Sequence, residues 1–200
     1  MRALFVFFFV SLLAQFSFAQ NKAKVDSLKK LGRDSLIKLA IKKLNEQDFD
    51  PAAYDRIIVK ADSSELVVDF DLPVKFKGGK KCYYDAISVA LVGSGNGMSI
   101  TGFCDEPKFY KPSAKQKRKI DFIFESINKK NEIGDIPDKK LRNDEDMEIT
   151  EKVGYYYVEF RSWSTFSHYK IQKGTGKIYD AGHKHYARSR EDKPRYEIIK

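Results

Sequence analysis

Residues that carry chemistry are scarce in this chain of 200 residues, which has three histidines, two cysteines and one tryptophan. No G-x-S-x-G sequence occurs, so the strained turn that presents a serine nucleophile is missing. The glycine-rich run Gly93-Ser94-Gly95-Asn96-Gly97 lacks the lysine and the strand–helix setting of a phosphate loop, and reads as a tight β-turn. The acidic residues from Glu145 to Glu148 do not follow the spacing of a calcium loop. These absences leave no catalytic residue to name, and the expectation is a protein that is not an enzyme. No motif for nucleic-acid recognition is present. Beyond residue 19 no segment is apolar enough to span a bilayer. With no cysteine near residue 19, a lipid-anchored lipoprotein is not expected.

What is present begins with an export signal. MRALFVFFFVSLLAQFSFAQ places Arg2 ahead of an apolar run, Ala3 to Leu13, and closes on Ser17-Phe18-Ala19. That is the pattern of a signal peptide, residues 1–19, cleaved after Ala19. As an uncleaved anchor the run would be short, and Ser11, Gln15 and Ser17 interrupt it. The rest is expected in the periplasm or outside the cell, without a transmembrane segment. The net charge is +9, and the signal contributes only Arg2 to it. Lys75, Lys77, Lys80 and Lys81 form one basic stretch, and Lys108 to Lys119 holds another. A basic exported protein could meet an acidic protein partner or an anionic envelope polymer or lipid; the competing reading is a solvated surface that keeps the protein soluble.

The hydrophobic spacing divides the chain. Residues 20–33 are polar and basic and read as a flexible lead-in. Leu36, Leu39, Ala40 and Leu44 then fall at the spacing of an amphipathic helix, with Asp34 or Ser35 as its cap. After Asp50-Pro51 the period changes to two. Leu66, Val68, Phe70 and Leu72 alternate with Glu65, Asp69 and Asp71, a strand with one wet face. Asp69 and Asp71 could form a carboxylate pair, but their alternation with core residues favours a solvated face. Further strands follow at CYYDAISVALV and MSITGF. Ser113 and Gln116 make a capping box ahead of a second helix, whose stripe is Ile120, Ile123, Phe124 and Ile127. Strands return at MEITEK, YYYVEFRSW, FSHYKIQ and KIYDAGHKHY, and Tyr196 to Ile199 either adds an edge strand or frays. The fold class is α+β: an antiparallel β-sheet packed by two helices. Its parts are 34–110 and 111–200, either one domain or two successive helix-plus-sheet halves.

In the second half, YYYVEF followed by HYKIQKGTGKIYD resembles the PepSY-type repeats, on Tyr169, Ile171, Thr175, Gly176, Lys177 and Ile178. Gln172-Lys173 stands where those repeats commonly carry an acid. The resemblance covers about Ser113 to Tyr186. It implies a helix ahead of a three-stranded antiparallel sheet, and an exported binding or inhibitory module without catalytic residues.

Cys82 and Cys104 would be expected to bond in an oxidising compartment. A regular hairpin centred on Gly95 sets them four residues out of register, about 13 Å along the strand. A bulge or a chain reversal at Gly102 would be needed to join them. His183 and His185, spaced H-x-H on one strand face, would lie about 6–7 Å apart and could share a zinc or copper ion if His168 joined them. A two-residue turn at Thr175-Gly176 sets His168 opposite His183. A three-residue turn ending in a bulge at Gly176 sets it opposite Gly182, pointing away. The competing reading is a solvated strand end. Tyr155, Tyr157, Arg161 and Trp163 share one strand parity and Tyr156, Val158 and Phe160 the other. The second set reads as core and the first as a binding surface. The leading expectation is therefore a binding module that uses an aromatic and basic sheet face. A metal-binding envelope protein and a structural subunit of an envelope complex are the alternatives.

Overall fold

A computed structural model describes residues 19–77, 82–93, 96–102, 105–110, 112–131, 141, 145–186 and 196–200, the side chains of 130 and 131 excepted. The expected signal peptide, apart from Ala19, lies outside them, as do Cys104 and most of the polar loop after Asn131. The fold is α+β, with helices and two sheets. It divides into two units, and neither is contiguous in sequence. The first draws on the chain up to Asp71, on Tyr84–Thr101 and on the C-terminal residues from 194 onward; the second takes Leu72–Tyr83 and Gly102 onward. The division at 110/111 therefore runs across both units.

In the first unit, α1 covers residues 19–29. This corrects the flexible lead-in expected over 20–33. The helix has one fully buried anchor, Val25, which is 1% exposed, and a half-buried Leu28, too faint a stripe to stand out among lysines. Gly32, at φ +77, separates it from α2, Arg33–Asn45, and is that helix's N-cap without a side-chain bond. Neither Asp34 nor Ser35 caps it. Leu36, Ala40 and Leu44 are buried, whereas Leu39 is 38% exposed, so the inward stripe steps by four residues.

The first sheet runs β11-β1-β2-β4-β5, with β1 Arg56–Ala61, β2 Leu66–Asp71, β4 Tyr83–Val92, β5 Asn96–Thr101 and β11 Glu197–Ile199. Leu66, Val68 and Phe70 of β2 are fully buried. Asp69 and Asp71 face the other way, and neighbouring strands occupy both. Arg56 holds Asp71 at 2.7 Å, while Lys60 and Ser88 hold Asp69 at 2.5 and 2.6 Å. The two carboxylates are thus separate ion pairs rather than a catalytic dyad. β11 pairs antiparallel with β1 instead of fraying, and the Tyr196 hydroxyl donates to Glu65 at 2.8 Å.

The second sheet runs β10-β9-β8-β7-β3, with β3 Val74–Lys77, β7 Asp146–Glu151, β8 Tyr155–Arg161, β9 Thr165–Gln172 and β10 Ile178–His185. Helix α3, Ala114–Asn131, packs on one face. Its capping box forms as the sequence specifies: the Ser113 amide donates to Gln116 Oε1 at 2.9 Å and the Gln116 amide to Ser113 Oγ at 3.2 Å. Ile123 and Ile127 meet Met147, Ile149, Tyr156, Val158, Phe160 and Ile171 in the core, with Ile120 and Phe124 packed against it. The parity assigned to Tyr156, Val158 and Phe160 places all three there. β3 was not foreseen as a strand. It pairs in parallel with β7, and a four-residue V-K-F-K segment gives no sign of a partner some seventy residues away. The two-residue strand β6, Lys108–Phe109, pairs with β4. There the Lys108 amide donates to the Cys82 carbonyl at 3.1 Å, the register expected of a hairpin centred on Gly95.

Candidate functional site

The face of the second sheet opposite α3 gathers aromatic rings, a histidine and paired charges. Residues paired across antiparallel strands share a face. On β8 and β9 the open-face pairs are Tyr155 with Gln172, Tyr157 with Lys170, Glu159 with His168 and Arg161 with Phe166. β7 extends the rows with Asp146, Glu148 and Thr150. On the far side β10 adds Asp180 beside Lys170 and Gly182 beside His168.

Rings run diagonally over this face. The Tyr157 and His168 centroids are 5.9 Å apart, those of His168 and Phe166 6.0 Å, and the rings tilt by 37° and 35°. The Arg161 guanidinium continues the row, 5.4 Å from the Phe166 centroid. His168 can lie there because its neighbour is a glycine. A Cβ on Gly182 would stand 2.4 Å from His168 Cε1.

Charges on the face are paired rather than uniformly basic. Lys170 contacts Asp180 at 2.6 Å, Arg161 contacts Glu159 at 3.0 Å, and Lys77 contacts Glu148 at 3.0 Å. The hydrogen bond from Lys170 holds the Asp180 carboxyl below the usual carboxylate range and raises the Lys170 ammonium. Partial burial, with Glu159 nearby, pushes the Tyr157 phenol up.

The sequence-derived sites fare unequally. Tyr155 and Tyr157 are half-buried on the open face and Arg161 is exposed there. Trp163 is not part of that row. β8 ends at Arg161, and Trp163 sits half-buried in the turn before Thr165, so strand parity does not apply to it. Phe166 and His168 were not counted in the aromatic face, since the pairing of β9 with β8 is needed to place them. Tyr179 was missed for another reason: it is the extra residue where β10 shifts register between Ile178 and Asp180. Its ring is 53% exposed and lies 6.0 Å from Tyr155. The two rings, with Val153, Gly154, Gln172 and Lys177, line a shallow open depression.

The three histidines do not converge. His168 pairs with Gly182 and faces the open side, whereas His183 pairs with Ser167 and His185 with Thr165, on the α3 side. This is the register expected of the bulged turn, but it arises differently, from a loop over 173–176 followed by the extra residue at Tyr179. Among the described residues no group of three or more His, Cys, Asp or Glu side chains is arranged to hold a metal ion. Cys82 is buried and disulfide-bonded; Cys104, the other cysteine of the chain, lies outside the described residues. Among the described residues no helix is long and apolar enough to cross a membrane.

No family model, curated protein or solved structure matches the chain.

Proposed function

We propose that this chain is an exported, non-enzymatic binding module that docks a protein partner on the open face of its second sheet. The observation that carries this reading is the diagonal row Tyr157, His168, Phe166 and Arg161 set among ion pairs of alternating sign. Aromatic side chains give large contact area at low entropic cost, and together with arginine they are enriched among the residues that dominate protein interfaces. The charge pattern selects the partner. A uniform polyanion would meet Glu148, Glu159 and Asp180 as well as the lysines, so its attraction would be largely cancelled. A protein surface can match alternating signs. An anionic envelope polymer is therefore the weaker reading. The PepSY-like resemblance supports the same class, a binding or inhibitory module. A purely structural subunit would use the same face permanently.

The test is cross-linking of the tagged chain in its native cell envelope, with partners identified by mass spectrometry. One reproducible protein partner is expected. It should be lost in the Tyr157→Ala/Phe166→Ala variant and retained in Met98→Ser/Ile100→Ser, which alters exposed residues of the first sheet. Loss of capture in both variants, or in neither, refutes the assignment to this face.

A further inference from the structure

The H-x-H pair has a geometry that a solvated strand end does not require. Side chains two apart on a strand start about 6–7 Å apart. Yet the His183 and His185 rings lean together until their centroids are 4.5 Å apart and a hydrogen bond joins their Nε2 atoms at 3.0 Å, through a proton that a bound ion would replace. Both rings are exposed, on β10, the outermost strand of its sheet. A divalent ion bound by two imidazoles at about 2.0 Å sets their nitrogens about 2.8 Å apart in a square-planar site and about 3.3 Å apart in a tetrahedral one. The observed spacing falls between the two.

We propose that His183 and His185 form a two-imidazole chelate for a divalent transition ion, with Cu2+ bound most tightly. The Irving–Williams order and the preference of imidazole for borderline ions set that ranking. Both nitrogens lie on one edge of the ion, and the remaining positions go to water or to an incoming ligand. The chelate is separate from the docking face, because His183 and His185 project on the α3 side of the sheet and His168 on the other. It differs in this from the three-histidine site that the sequence allowed. Neither ring is buried, so the site needs no rearrangement of the core to load.

Titration of the purified chain with Cu2+ against a competing chelator, followed by electron paramagnetic resonance, tests this. One saturable ion is expected, with hyperfine splitting from two imidazole nitrogens. His183→Ala and His185→Ala should each weaken binding at least about tenfold, and His168→Ala should leave it unchanged. Binding elsewhere, such as at the chain's amino terminus, would persist in His183→Ala/His185→Ala and is subtracted with it. The proposal fails if that double variant takes up Cu2+ like the parent, or if His168→Ala weakens binding as much as the other two. Circular dichroism separates either result from loss of fold, and His183→Gln supplies a second variant should alanine disturb the strand.

Discussion

Two glycines in one loop face different demands. Gly174 and Gly176 both have positive φ, at +81° and +71°. A Cβ on Gly174 would meet nothing within 4 Å, whereas one on Gly176 would stand 2.6 Å from Ser126 Oγ of α3. That hydroxyl is committed, donating to the Phe122 carbonyl at 2.7 Å. Gly174→Ala should therefore cost only the left-handed backbone term, about 1–2 kcal/mol. Gly176→Ala should add an overpacking term of about 1–3 kcal/mol. Urea denaturation of both variants measures the difference, and equal losses would show that the loop does not bear on the helix. The same loop explains what was legible about the histidines. H-x-H was visible as spacing, and its two possible faces could be enumerated. Choosing between them depended on how many residues lie outside the ladder, at the loop and at Tyr179, and no residue type announces that count.

Elements with a local signature were readable, and those defined by a distant partner were not. α3 carries its own capping box and a four-residue apolar stripe, so its start and inward face follow from the residues alone. β2 alternates strictly, and its buried and wet faces follow in the same way. α1 has a single fully buried anchor and by its residues reads as a lead-in, while β3 is a strand only because β7 lies beside it. One acidic side chain ties several of these elements together. Glu151, at the end of β7, accepts from Lys119 of α3 and, at 2.9 Å, from Lys173 of the 173–176 loop. Those two hydrogen bonds hold its carboxyl below the usual carboxylate range. A carboxyl depressed in the folded state adds stability above its unfolded pKa, and loses it as pH falls through the folded value. Because Glu151 is well exposed, the effect should be at most about 1 kcal/mol and should shrink in salt. Stability of Glu151→Gln, measured from neutral pH down to about pH 3, should fall below the parent at neutral pH and converge with it in acid. A constant offset across that range would show that the lysines do not act through this charge.

At the scale of the molecule, sequence order and structural membership part company. The division into halves was drawn from local pattern, and each half does build most of one sheet. Two short segments cross over. β3 leaves the first half to pair with β7, and β11 returns from the C-terminus to pair with β1. Both are edge strands, at the ends of their sheets. Removing them would expose the ladder groups of β7 and β1 and leave unpaired edges. It would also uncover the core flank of Val74 and Phe76, which pack against the second core. Neither half should therefore fold as a self-sufficient domain. Fragments 20–110 and 111–200, expressed separately, are expected to lack a cooperative thermal transition, and their mixture to regain one. A longer second fragment starting at Leu72 carries β3 and should melt cooperatively alone. If 111–200 melts as sharply as the 72–200 fragment, β3 is an accessory to a complete sheet. If it does not, a strand that the residues barely mark completes the support for the docking face, because β3 flanks β7 and brings Lys77 to Glu148 in the same row of charges.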